Sequence, residues 1–230
     1  MMPVRTILFV FALLAPSVAS ADALQQQVLE AAKRVTARDF AFTQITRIQR
    51  SGAATREFAQ RYDPRRSNGA WSLTAIDGRE PTAKERAASA KNSAKAQVAS
   101  YARIAEWFGA PATRIATTPT RVTYRFASLP KGVIKLGSHD ASANTSAEAT
   151  VNIAGPVPFV ERARFVSTTA FRMMMVVKVE RFVFTTTHRL LADGRPVIDA
   201  TNTEFAGAFM GKAQTMTTQT RYSDFTGAAR

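Results

Sequence analysis

Chemistry has few places to reside in this chain. Only two histidines occur, His139 in a polar stretch and His188 at the end of a strand-like segment. No H-x-x-x-H or H-E-x-x-H spacing accompanies them, so nothing indicates a zinc-hydrolase centre. His188 reads as a half-exposed strand residue. The chain has no cysteine, which removes thiol nucleophiles, disulfides and thiolate metal sites together. Neither a G-x-S-x-G elbow nor a phosphate-cradling glycine loop is present. Asp77, Glu80 and Glu85 are separated acids of turns and helix starts, where a carboxylate meets the positive end of a helix. No catalytic residue, metal site or cofactor is assigned on these grounds, and the chain reads as a non-enzyme.

What the sequence offers instead is an apolar face. Across residues 171–179, Phe171, Met173, Met175, Val177 and Val179 alternate with Arg172, Met174, Val176 and Lys178. Methionine is flexible and polarizable, which suits a wall that must fit variable apolar chains, although an ordinary core strand has the same pattern. Phe40, Phe42, Trp71, Leu73, Tyr124, Phe126, Met173, Met175 and Val177 form the predicted lining of an acyl-chain cavity. Each acyl methylene buried there would contribute about 0.8 kcal/mol. Arg61, Arg65 and Arg66 are the predicted contacts for an anionic head group.

The elements that must position these residues follow from periodicity. Leu24, Val28, Ala31, Ala32 and Val35 recur at helical spacing and predict an amphipathic first helix. Residues 40–48, 56–62 and 71–75 read as strands, separated by Ser51-Gly52 and by the polar loop 63–69. Residues 81–108, rich in alanine and lysine, predict one long or two short helices that end near Gly109 and Pro111. Val122, Tyr124 and Phe126 alternate with Arg121, Thr123 and Arg125, so this strand has one apolar and one basic face. Further strands are expected at 147–153, 160–167, 171–187, 197–204 and 213–225. Residues 137–146 read as loop, and 192–196 as the turn of a hairpin between the two longest strands. Parallel neighbours need a crossover helix, and none is legible after Gly109. The expected architecture is α+β: one large, curved, mainly antiparallel sheet of about ten or eleven strands, an unclosed β-barrel, with helices covering its concave face.

The N-terminus carries Arg5, an apolar run over 6–15 and the small-residue stretch Val18-Ala19-Ser20-Ala21 before Asp22. These are the parts of a secretory signal peptide, 1–21, cleaved after Ala21, with a single mature domain at 22–230. The run is shorter than the roughly 20 residues that span a bilayer, and no cysteine is available for a lipid anchor. The expectation is a released, monomeric, periplasmic protein. Its formal charge of +14 favours polyanionic partners such as an anionic membrane surface or an envelope protein, and export argues against nucleic acid.

The order of these elements, with Asp39-Phe40-Ala41-Phe42-Thr43-Gln44 directly after the first helix, resembles the LolA/LolB-like carriers that move lipoproteins across the periplasm. The Phe-Thr-Gln triplet at 42–44 is the local match. The Arg-Trp pair usual on that family's third strand is absent, since Gly69-Ala70-Trp71 keeps only the tryptophan, and residues 62–82 are similar to a divergent branch of the fold. The resemblance implies an unclosed barrel, a helical lid and a hollow that receives lipid or lipoprotein acyl chains. Two other readings stand beside it: a non-enzymatic module that binds an acidic envelope partner through its basic surface, and a hydrolase of envelope polymers acting through scattered carboxylates.

Overall fold

A computed structural model describes residues 22–36, 38–66, 70–93, 97–173 and 177–227. The expected signal peptide, and Met174, Met175 and Val176, lie outside them. In chain order the strands are β1 (Phe40–Arg50), β2 (Arg56–Tyr62), β3 (Trp71–Ile76), β4 (Thr113–Thr117), β5 (Arg121–Phe126), β6 (Lys135–Leu136), β7 (His139–Asp140), β8 (Thr145–Asn152), β9 (Phe159–Ser167), β10 (Phe171–Met173), β11 (Val177–Leu190), β12 (Pro196–Phe209) and β13 (Lys212–Gly227). Two α-helices, α1 (Ala23–Lys33) and α2 (Ala83–Ser93), a 3-10 helix at Tyr101–Glu106 and a short 3-10 turn at Ser142–Asn144 complete the frame.

Eleven strands form one open sheet in the order β3-β2-β1-β13-β12-β11-β9-β8-β5-β4, with β10 added on β11. The named pairs are antiparallel, as the missing crossover helix requires. β3 and β4 are the two free edges, so the barrel does not close.

Two elements depart from expectation. Residues 171–187 are not a single strand, because Phe171 pairs with Val179 and Met173 with Val177 in an antiparallel hairpin. The reversal is symmetric, and a period of two has no means of registering it. The face assignment of Phe171, Met173, Val177 and Val179 is therefore unchanged by the fold-back. β4 escaped notice for a different reason: all five of its residues are exposed, so it lacks the apolar alternation that marks a strand.

Register sorts the side chains into two faces. Tyr124, Ala149 and Ala163 are cross-strand neighbours on the inner face, as are Phe126, Ala147 and Phe165. Arg125 faces Glu148 on the outer face, where the two side chains pair at 2.9 Å. The inner face over β5, β8 and β9 is covered by α1 and by the Tyr101–Phe108 segment, and these meet in the main hydrophobic core. Trp107 lies edge-on to Phe126 and Phe165 at centroid distances of 5.1 and 5.0 Å, and Phe108 packs on Tyr124 and Phe126. Such edge-to-face pairs favour one arrangement of the cover over a merely greasy contact.

α1 holds that cover in place through polar groups. Asp22 caps the helix by accepting the Gln25 amide at 2.8 Å, which satisfies one of the N–H groups a helix start leaves unpaired. The carboxylate also accepts the Tyr124 hydroxyl at 2.8 Å and Arg114 at 2.8 Å, which ties the helix start to β4 and β5. Burial pulls the Asp22 carboxyl upward, but the Gln25 amide, Tyr124 and Arg114 outweigh it and hold the group below the usual carboxylate range. Gln25 is itself 2% exposed. Its amide donates to the Phe108 carbonyl and, at 2.8 Å, to that of Ala110.

α2 is attached differently. It buries no residue. Ser89 and Ser93 accept hydrogen bonds from the Gln60 amide at 3.1 and 3.4 Å, and Glu85 pairs with Arg79 and accepts the Thr82 amide at the helix start. The alanines at helical spacing, Ala83, Ala87 and Ala90, do not face the sheet as their pattern predicts but are exposed; Ser89 and Ser93 face it instead, because they find a polar partner in Gln60.

Gln25→Leu should therefore unfasten the cover. Two buried carbonyls would lose their donor, at a cost of about 3 kcal/mol. Urea denaturation should report this as a lower midpoint, whereas Ser89→Ala in α2 should change stability by no more than about 0.5 kcal/mol.

Candidate functional site

Where the aromatic cover ends, the inner face is left incompletely filled. A cavity of about 370 Å3 lies between the 3-10 helix, the Val133–Leu136 stretch and strands β9, β11, β12 and β13. That volume is at the lower end of what small-molecule pockets occupy. One side of it is apolar, formed by Ile104, Trp107, Ile134, Leu136, Phe165, Phe182 and Phe184. The same sheet face that carries Phe182 and Phe184 also carries hydroxyls, Thr186, Thr201, Thr203 and Tyr222, with Phe184 the direct neighbour of Thr203.

The sheet register explains this arrangement. Thr186, Thr201, Thr220 and Thr46 are successive cross-strand neighbours from β11 through β12 and β13 to β1. Thr203 and Thr218 sit beside them in the adjacent row. Thr46 and Thr220 hydrogen-bond to each other at 3.0 Å. β-branched threonine suits a strand as well as valine does, so the backbone is indifferent to the exchange. The cavity surface is not: a row of methyls becomes a row of methyls with donors and acceptors.

His188 belongs to the same wall and is 6% exposed, not half-exposed as its position near a strand end suggested. The Tyr101 ring lies edge-on to it at 5.1 Å, and the Thr186 hydroxyl is 3.2 Å from its Nε2. Tyr101 in turn accepts the Val160 amide at 2.8 Å, which anchors the cover to β9. Burial pushes the Tyr101 hydroxyl well above its ordinary range and the Tyr222 hydroxyl up to about 12. Both phenols remain neutral donors at any physiological pH.

Two cations line the cavity, Arg103 and Lys135, and among the described residues no carboxylate does. Arg103 reaches Glu106 at 3.3 Å, with both side chains about two-fifths exposed. An exposed pair of this kind is worth at most about 1 kcal/mol, so it is easily exchanged for a ligand anion.

The residues singled out from sequence fall in several places. Phe40, Tyr124 and Phe126 are packed in the main core. Phe42 and Trp71 belong to a second cluster with Tyr62 and Tyr222. The space left beside Phe40 and Phe42 is about 10 Å3, no more than one water would need. Leu73 faces a separate open hollow under α2, with Thr46, Ile48 and Phe58. Met173 and Val177 are half-buried at the edge of the main core, and Met175 lies outside the described residues. None of the described ones among these predicted lining residues lines the 370 Å3 cavity. Arg61 bonds to Thr43, Thr226 and the Asp224 carbonyl on the outer face, and Arg65 is held by Asp63 at 2.8 Å. Arg66 is exposed in the loop after β2.

Sequence reading missed Trp107, Phe165, Phe182, Phe184 and the threonines for a common reason. It located apolar strand faces but had no means of telling which part of a face the cover would fill. The available signal was Tyr101–Phe108, where an alanine-rich stretch gives way to Tyr101 and the adjacent pair Trp107-Phe108.

No protein-family model and no curated protein matches the chain. Among solved structures it is similar in fold to a DUF1329 family protein from Desulfovibrio piger, at 10% identity over 91% of this chain and 94% of that one, with a TM-score of 0.40. It is likewise similar to a LolA superfamily protein from Nitrosomonas europaea, at 14% identity over 92% of this chain and 94% of that one, with a TM-score of 0.39.

Proposed function

We propose that this chain is a non-enzymatic, periplasmic binding protein or carrier for an amphiphile with one apolar chain and an anionic head group. The observation that carries the reading is the 370 Å3 cavity, apolar on one side, with Arg103 and Lys135 in its lining and no acid among its described residues. At about 30 Å3 per water-sized group it has room for roughly a dozen such groups, which is one acyl chain of medium length. The aromatic side supplies apolar burial, and the cations take the head group. Residues 1–21 would be removed on export.

An acidic-partner module is less well supported. Arg114, Arg121, Arg125 and Arg195 each pair with a carboxylate of the chain itself. The net charge of +14 already counts these carboxylates and is not lowered by the pairing, but the four arginines are engaged within the chain.

Extraction of the purified protein with organic solvent, followed by mass spectrometry, should recover a single-chain lipid. A fluorescent fatty acid should bind the delipidated protein at one site. Thr203→Trp fills the cavity from the sheet side and should weaken that binding by about tenfold or more, since each excluded methylene removes about 0.8 kcal/mol. Arg103→Glu should weaken binding of the fatty acid but not of the corresponding alcohol. No lipid on extraction, together with no uptake of any single-chain probe, would overturn the reading.

His188 adds a pH dependence. Burial lowers its pKa to about 4 from an ordinary value of 6.5, so the cavity wall is uncharged at neutral pH. A folded-state pKa below the unfolded one means that the unfolded chain takes up the proton first. Stability is therefore highest above pH 6.5 and falls by on the order of 3 kcal/mol as pH drops toward 4. In His188→Gln, denaturation midpoints measured between these pH values should lose most of that slope.

A further inference from the structure

The most exposed large apolar side chains among the described residues are adjacent, at the tip of the β12–β13 hairpin: Phe209 at 52% and Met210 at 71%. Single exposed apolar residues are ordinary. This pair is not, because of the backbone it occupies. Met210 and Gly211 both have positive φ, 48° and 78°, in the two-residue turn that joins Phe209 to Lys212. A turn of this type strongly favours Asn, Asp or Gly at its first position, since a larger side chain there is strained. The same geometry recurs at the β3 end, with φ of 50° and 78°, and there the sequence is Asp77-Gly78. One turn holds the residue the backbone prefers, and the other holds an exposed methionine at a conformational cost.

Around the tip one face is apolar apart from Lys212, and the other is basic. Phe209 pairs with Val177, and Val177 with Met173, which continues the apolar row along the inner face. Lys212 stands opposite Phe209 at the turn. On the outer face Lys178 is the neighbour of both Arg172 and Ala208. Glu180, which pairs with Lys178 at 3.0 Å, is the acid close by. Arg172 and Lys212 have no ion pair among the described residues. An apolar tip with cations set just behind it matches the layering of a bilayer surface, where acyl chains lie beneath anionic head groups.

We propose that the β12–β13 tip docks this protein on membranes containing anionic lipid, with Phe209 and Met210 inserted among the acyl chains and Arg172, Lys178 and Lys212 against the phosphates. The tip lies six residues along β12 from Thr203 of the cavity, about 20 Å at the rise of an extended strand. Docking there sets the long axis of the β11–β12 hairpin against the bilayer. The proposal stands independently of what the cavity holds.

Co-sedimentation of the purified protein with phosphatidylcholine vesicles, with and without phosphatidylglycerol, tests it. Binding should require phosphatidylglycerol and weaken in high salt. The double variant Phe209→Ser/Met210→Ser should partition about tenfold less. Met210→Asn separates folding from docking, because it relieves the turn and should raise the melting temperature while lowering vesicle binding. In Phe209→Trp, emission should shift to the blue when anionic vesicles are added, relative to the unsubstituted protein. Vesicle binding unchanged in the double variant, or Phe209→Trp emission that does not move, would overturn the proposal. So would a concentration-dependent dimer abolished by the same substitutions, which would make the tip a contact between copies. Fatty-acid uptake in vesicle-free solution should be the same for all these variants, so failure of the cavity reading and failure of this one are told apart.

Discussion

The buried amide of Gln25 is the point on which the molecule's organisation turns. An open antiparallel sheet presents an inner face that must be kept from water, and its packed half is covered by a short helix and one aromatic segment. The segment ends in irregular backbone at Phe108 and Ala110, whose carbonyls cannot stay unpaired when buried. Gln25 supplies both donors from one side chain. That bond pair seats Trp107 and Phe108 on Phe126, Phe165 and Tyr124, and thereby fixes where the filled half of the barrel stops and the cavity begins.

The two halves of the inner face differ in chemistry as well as in filling. Over β5, β8 and β9 the inward residues are alanine, valine and aromatics, and the cover interlocks with them. Over β11, β12, β13 and β1 they pass into threonine and glutamine, and α2, set beyond them over β2 and β3, is held by the hydrogen bonds of Gln60 on β2 with no buried apolar residue of its own. Burying an unpaired hydroxyl is costly, so a threonine-lined face resists being packed shut. The cavity thus follows in part from sequence composition along β11, β12 and β13, with the Val133–Leu136 stretch lying over it.

Much of this frame was legible beforehand. Alternation at Val122, Tyr124 and Phe126 gave the strand and its buried face, the 192–196 turn gave the central hairpin, and the missing crossover helix gave the antiparallel pairing. What was not legible depends on contacts distant in sequence. Tyr124 and Phe126 do lie on an inner face, but α1 and Phe108 fill it, and no local pattern reports that. Thr186, Thr201 and Thr203 look like outward polar positions until register places them in one belt. His188 appears half-exposed until Tyr101 is laid across it. A period of two fixes which residues share a face. It says nothing about what lies above them.

The size of the cavity also bears on what a protein of this design can do. Roughly a dozen methylene-sized groups, at about 0.8 kcal/mol each, offer on the order of 10 kcal/mol of gross apolar burial. Association costs several kcal/mol in lost freedom of the ligand, and a chain in this cavity also faces threonine hydroxyls that prefer water or a polar partner. The net is on the order of 5 kcal/mol, which corresponds to sub-millimolar binding. The exposed cations then decide much of the outcome, because each charged contact to a head group is a substantial fraction of so small a total. A cavity three times larger, lined with valine in place of Thr186, Thr201 and Thr203, would hold its ligand too firmly to give it up. On the proposed reading, the hydroxyls and the modest volume would keep binding within the range where a change of surroundings, such as the approach of a bilayer, can reverse it.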